Sequence, residues 1–313
     1  MKQAFNISRS AKNIWHLVTE TFSEFNNDNG TKLSASLSYY TIFALPPLLI
    51  IIISLCSFFF GQEAVRGEIF GQINGLVGNA AALQIQEAIK NVRLYGDNVF
   101  MTTLSIFILF IGASGVFAEI QDSINYIWGV KAKPKRGLVK FLKNRLMSFS
   151  MIGSVGFLLL VSLIANSLMD IFSNKLTSYF HRDTIFLLYA VNVLIVFVFN
   201  TLLFTIIFRT LPDGKIVLRD CLVGASVTSV LFMTGKFAIG AYLGNSAIAT
   251  VYGAAGSVIL ILGWVYYSAI ILYFGAEFTK VYALKHGQKI VPNNYSVLII
   301  KQIEVEPVHK TPA

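Results

Sequence analysis

Apolar residues fall in long runs along this chain, and polar residues gather between them. Six stretches reach the length of about 20 mostly apolar residues that a membrane-crossing helix needs: Leu33–Phe60, Val99–Ala118, Met147–Met169, Ile185–Phe208, Leu222–Leu243 and Val251–Phe278. The pattern predicts an all-α fold, a polytopic membrane protein of six transmembrane helices. Before the first run, Ile14, Trp15, Val18, Phe22 and Phe25 recur at spacings of three and four. They predict an amphipathic helix that lies on a membrane face or packs on a neighbouring segment. In the first loop, Gly61 to Asn98, one apolar stripe is formed by Val65, Ile69, Ile73 and Leu76 and a second by Leu83, Ile89 and Val92. Two amphipathic helices are expected there, capping the bundle or lying on its surface. The organisation is therefore an N-terminal amphipathic segment over residues 1–30, a transmembrane domain over 31–284 and a polar tail over 285–313. With Pro292, Pro307 and Pro312, that tail is expected to be disordered.

Composition strengthens the membrane reading. Apolar residues make up 55% of the chain and charged residues 13%, against about 45–50% and 25% in soluble domains. An ordinary cytosolic enzyme, a disordered chain and a nucleic-acid-binding surface are all poor fits. The N-terminal residues are too charged for a secretory signal peptide, with Lys2, Arg9, Lys12 and Glu20 and no continuous apolar core.

Charge placement orients the six runs. Lys and Arg before the first run, in the second and fourth loops and after the sixth run number 19, while the opposite loops hold five. The positive-inside rule then places both termini of the multi-pass chain in the cytoplasm, which requires an even number of crossings. The basic stretch from Lys131 to Arg145 follows the interfacial residue Trp128 and contains Lys133, Lys135 and Arg136. It can set orientation, and it can also bind anionic lipid headgroups through Lys131, Lys133, Lys135 and Arg136. Cys56 and Cys221 fall at opposite ends of their helices on this map, so no disulfide is expected.

Candidate chemistry centres on the first run. Pro46 and Pro47 remove two adjacent backbone donors from mid-helix, which predicts a kink or break. Freed carbonyls at membrane depth need protein or water beside them, so this point, with Tyr39 and Tyr40 just before it, is a candidate substrate or gating site. Ionisable residues at depth are costly and commonly functional. Glu119, Asp122 and Glu277 are expected at the inner end of the bundle, as an ion-pair network or a proton-coupled gate. Lys236 belongs to the outer half of the fifth run, as a partner for an anionic substrate or as a snorkelling lysine. Tyr266, with Trp264, Tyr267, Asn192 and Asn200, should turn its polar tip into the bundle. Small-residue clusters at Gly112–Gly115, Gly240–Gly244 and Gly253–Gly256 predict close helix contacts, and copies of the chain could associate as a homo-oligomer. The histidines His16, His181, His286 and His309 are dispersed, no Walker A or hydrolase motif occurs, and no metal site, cofactor, enzyme activity or nucleic-acid partner is implied.

Several motifs together resemble one family. They are Ser36-Leu-Ser-Tyr39-Tyr40 through Pro46-Pro47, Gly112-Ala-Ser-Gly115 through Glu119 and Gln121-Asp122, Trp128-Gly129-Val130, Leu211-Pro212-Asp213, Gly235-Lys236, and Tyr252 through Phe278. The chain resembles the bacterial YihY/BrkB family from about Asn13 to Val281. The resemblance implies an inner-membrane protein with six helices. Members have carried the label ribonuclease BN, which sits poorly with a chain offering no nuclease metal site. The family's connection with serum resistance and altered lipopolysaccharide implies envelope lipid handling or export. The expected function is therefore transport or flipping of a lipid or amphiphilic anion, with membrane lipids as partners; the alternative is a non-transporting membrane scaffold.

Overall fold

The computed structural model describes residues 2–60, 67, 70, 71, 74, 82, 83, 86, 115–132, 182–244, 254–286, 289–293 and 296–299. Helix dominates, as the apolar runs require, because a lipid-embedded backbone must satisfy its own N–H and C=O groups. Helix α1 covers Lys2–Asn27, α2 Gly30–Phe60, α3 the stretch 115–127, α4 Arg182–Thr210, α5 Leu218–Gly244 and α6 Ala254–Lys285. Helices α2, α4, α5 and α6 coincide with the first, fourth, fifth and sixth apolar runs. Among the described residues, Val193–Thr210 and Val258–Lys285 have the length and hydropathy to cross a membrane. The third run, most of the second and nearly all of the first loop lie outside the described residues.

Helix α6 is the hub. It packs against α1, α2 and α5, and α4 packs on α5. The core joins Phe25 of α1, Leu37 of α2, Ile124 of α3, Phe208 of α4, Ala225 of α5 and Tyr273 of α6. On the far side of α4, Leu194, Val198 and Leu202 stay exposed. An apolar face of that length is stable against acyl chains and costly against water. The hydroxyls in these helices bond back to their own backbone: Thr205 Oγ1 donates to the Thr201 carbonyl at 2.6 Å, and Ser268 Oγ to that of Trp264 at 2.9 Å. This disposes of polar groups where no water is at hand.

The two faces of α1 have separate fates. Leu17, Thr21 and Phe25 are buried. Leu17 packs with Phe278 and Val281 of α6, and the Phe25 ring meets that of Phe274 edge-on at 5.9 Å. Trp15 and Phe22, from the expected apolar stripe, are exposed instead. Of the two predicted roles for this helix, its inner face takes the packing one, because Leu17, outside the stripe, packs on Phe278 and Val281 of α6. A link of two residues, Asp28 and Asn29, joins it to α2, with Asn29 in the left-handed region at φ 53°. Asparagine tolerates that conformation better than most residues.

Two findings depart from the all-α, tailed expectation. Val130–Ala132 forms a strand, β1, and Gly214–Lys215 a second, β2. The polar segment after α6 supplies β3, Val291–Pro292, and β4, Ser296–Leu298. Strand β1 pairs antiparallel with β4, with Lys131 opposite Val297, and β2 pairs with β3, with Lys215 opposite Val291. The described part of the expected disordered tail is thus tied down. Its polarity misled because the strands gain backbone partners and a buried Ile290 rather than a core of their own. The rest of the tail lies outside the described residues.

At Pro46 and Pro47 the helix does not stop. Helix α2 continues through both to Phe60. Two missing donors cost two ladder bonds, and a membrane helix of 31 residues retains enough of the others to carry on past them.

Candidate functional site

The polar groups of the described structure concentrate at one end of the bundle, where α1, α3, the α4–α5 turn and the end of α6 meet. Its centre is Lys280. The Lys280 ammonium donates to Glu277 Oε1 at 2.7 Å, to Glu24 Oε2 at 3.3 Å and to Asp28 Oδ2 at 3.4 Å. Glu277 and Lys280 stand three apart on α6, hence on one face of the helix, and Glu24 of α1 and Asp28 of the link after it stand four apart, one helical turn, with the Asp28 N–H donating to the Glu24 carbonyl. The ion pairs therefore clamp α1 to α6. Glu277 is fully buried, and its Oε2 has no hydrogen-bond partner among the described residues. A second contact lies farther along, where Lys285 Nζ stands 3.8 Å from Glu20 Oε2.

Beside this cluster, Asp213 holds the α4–α5 turn to α3. Its Oδ1 accepts from Gln121 Nε2 at 3.2 Å and its Oδ2 from Asn125 Nδ2 at 3.1 Å, while its own N–H donates to Asn125 Oδ1 at 2.7 Å. Gln121 and Asn125 lie one helical turn apart, so both amides point to the same carboxylate. The Asp213 carbonyl accepts from Ser296 Oγ at 2.7 Å and from the Asn293 N–H at 2.9 Å, which adds the chain after α6 to the same knot. Trp128 Nε1 donates to the Ala276 carbonyl at 3.1 Å, tying α3 to α6. Between these features a cavity of about 340 Å³ opens, lined in part by Trp128, Lys280, Leu284 and Lys289.

The predicted site residues are not gathered into one place. Glu277 is at the centre of the cluster. Glu119 is half-buried and Asp122 exposed on α3, and Glu277 pairs with Lys280, the same ammonium that Glu24 and Asp28 approach. Tyr39 and Tyr40 are exposed on α2, with their rings 6.0 Å apart and Phe43 5.0 Å from Tyr39. Pro46 and Pro47 lie one to two turns farther along the same helix. Lys236 is exposed on α5 and Tyr266 is half-buried on α6. It is Tyr267, the next residue, whose hydroxyl fills the space above Gly235. Lys131 is exposed on β1, and Lys133, Lys135 and Arg136 lie outside the described residues.

Sequence reasoning missed Glu24, Asp28, Asp213 and Lys280 as site members. The Glu277–Lys280 spacing was the available signal for one of them. The α1 carboxylates carried no signal, because their role depends on α1 packing against a helix some 250 positions away. Cys221 is free and buried. Among the described residues, no group of three or more His, Cys, Asp or Glu could hold a metal ion.

The family model described as Virulence factor BrkB matches residues 21–296, from the buried face of α1 to β4. The chain belongs to the BrkB family. Curated relatives of this BrkB-family chain are named UPF0761 membrane proteins. That of Azotobacter vinelandii is 29% identical over 82% of this chain and 60% of its own length. That of Pseudoalteromonas atlantica is 27% identical over 81% of each, and that of Aeromonas salmonicida 25% identical over 84% of this chain and 88% of its own. The chain spans about three-fifths of the length of several of the relatives it matches. No solved structure matches it. The matched region includes the four BrkB-family residues of the Lys280 cluster and the Asp213 knot, so both features lie inside the family's own boundaries.

Proposed function

We propose that this membrane protein moves a lipid or amphiphilic anionic envelope component across or between the leaflets of a bacterial inner membrane, with six spans and both termini in the cytoplasm. It does so as a carrier and not as an enzyme. The observation that supports this reading is the Pro46–Pro47 pair within a helix of membrane length. Proline has no N–H, so the carbonyls four residues before, of Ile42 and Phe43, lose their ladder donors. Two exposed tyrosines, Tyr39 and Tyr40, stand one to two turns away on the same helix. Polar-tipped aromatics beside freed carbonyls suit the headgroup end of an amphiphile. Exposed Lys236 and Lys131 supply cations that an anionic headgroup would meet.

Purified protein in liposomes should accelerate transbilayer movement of a fluorescent phospholipid. Replacing both prolines with alanine, or Lys236 with methionine, should slow it severalfold. Flux equal to protein-free liposomes, or unchanged in both variants, would refute the reading. A specific observation favours a second reading, a non-transporting scaffold. The α5–α6 contact is close enough that side chains of one helix fill the spaces over glycines of the other. A scaffold would co-purify with an envelope partner and leave lipid flux at the background rate.

A further inference from the structure

We propose that Glu277 is a proton-binding site, its buried carboxyl carrying an exchangeable proton on Oε2. Three carboxylates, Glu24, Asp28 and Glu277, lie within 3.4 Å of the Lys280 ammonium. Glu24 and Asp28 bring negative charge beside Glu277. The three are not equally able to bear it. The Glu24 side chain is 41% exposed and solvated, that of Asp28 is 7% exposed, and that of Glu277 is 0% exposed. Water therefore screens Glu24 best and Glu277 least.

The second observation is independent of the cluster's charge. Glu277 Oε1 is occupied by Lys280, but Oε2 is buried with no donor among the described residues. An ionised oxygen in that position forfeits its hydration with nothing in return, whereas an un-ionised O–H forfeits much less. A proton on Oε2 leaves Oε1 free to accept from Lys280, so the observed bond survives protonation. Among the described residues, the charges acting on Glu277 are Lys280 on its own helix, Glu24 on α1 and Asp28 in the link that follows α1. The step is simple in its balance. An O–H bond of hydronium breaks, the Oε2–H bond forms, a water molecule leaves, and no electron moves. Solvent reaches the cluster at Glu24 and at the cavity that Lys280 lines with Trp128, Leu284 and Lys289.

This assignment does not depend on transport. Infrared difference spectroscopy on the full chain in detergent micelles reads the C=O stretch of un-ionised carboxyls. At neutral pH the wild type should show such a band, which Glu277→Gln abolishes and Glu24→Gln leaves in place. Since glutamine copies the shape of the protonated acid and keeps the acceptor for Lys280, Glu277→Gln should also fold and lose no thermal stability. A band that persists in Glu277→Gln, no band at neutral pH in the wild type, or a Glu277→Gln protein that is destabilised or fails to fold would overturn the proposal. Lipid flux in the same variants tests the carrier reading separately, so the two can fail independently.

Discussion

The hydroxyl of Thr228 on α5 lies where a Cβ at Gly275 of α6 would stand, and Thr279 of α6 does the same over Gly224 of α5. Each threonine also donates to the carbonyl of the glycine on its own helix, Thr228 to Gly224 and Thr279 to Gly275, both at 2.7 Å. The seam is thus reciprocal, with one glycine and one threonine from each helix. Close backbone approach through small residues is the main source of affinity between helices in lipid, where the hydrophobic effect does not draw them together.

Gly275→Ala should therefore destabilise the protein by about 1–3 kcal/mol, the usual penalty for overpacking, seen as a lowered thermal midpoint in detergent. Gly115→Ala is the control. Among the described residues a Cβ there meets nothing within 4 Å, and alanine's better helix propensity should leave stability equal or raised by up to about 1 kcal/mol.

The Asp213 knot predicts a loss of a different kind. Asp213→Ala strands the buried Gln121 and Asn125 amides, at about 1–3 kcal/mol for each unsatisfied group. Asp213→Asn keeps one acceptor and should recover roughly half of that. Protease sensitivity of the α4–α5 turn should rise in the same order, wild type below Asp213→Asn below Asp213→Ala.

Lys280→Met removes the cation while leaving the carboxylates that surround it. Breaking a buried pair from one side typically costs about 3–5 kcal/mol, and solvent access to Glu24 should place this case near the lower figure. Adding Asp28→Asn to Lys280→Met should restore part of the loss, because the mostly buried Asp28 side chain then no longer holds a negative charge beside the missing ammonium. A double-mutant cycle of thermal midpoints measures that coupling.

Orientation can be read chemically. With Cys56 and Cys221 replaced by serine, a cysteine at exposed Lys131 should react with a membrane-impermeant maleimide in inside-out vesicles and remain unlabelled in intact cells. Labelling of intact cells would reverse the map deduced from the lysines and arginines.

The sequence by itself determined what the chain is made of: helices at the first, fourth, fifth and sixth apolar runs, a helix before them, and a membrane environment. Those follow from local quantities, the length of an apolar run and the spacing of its residues, which need no knowledge of the partner surface. The Glu277–Lys280 pair was legible for the same reason, since both members sit on one face of one helix. Only the tertiary structure decided that Glu24 and Asp28 complete that cluster, that Leu17 and not Trp15 is the buried side of α1, that Gly224 and Gly275 rather than the glycine clusters form the described seam, and that polar residues after α6 pair as strands. Each of these depends on which helix lies against which and in what register, and a side chain's burial, partner and charge environment are properties of that contact. A one-dimensional pattern carries the face each helix can present, while the choice among faces is made by packing.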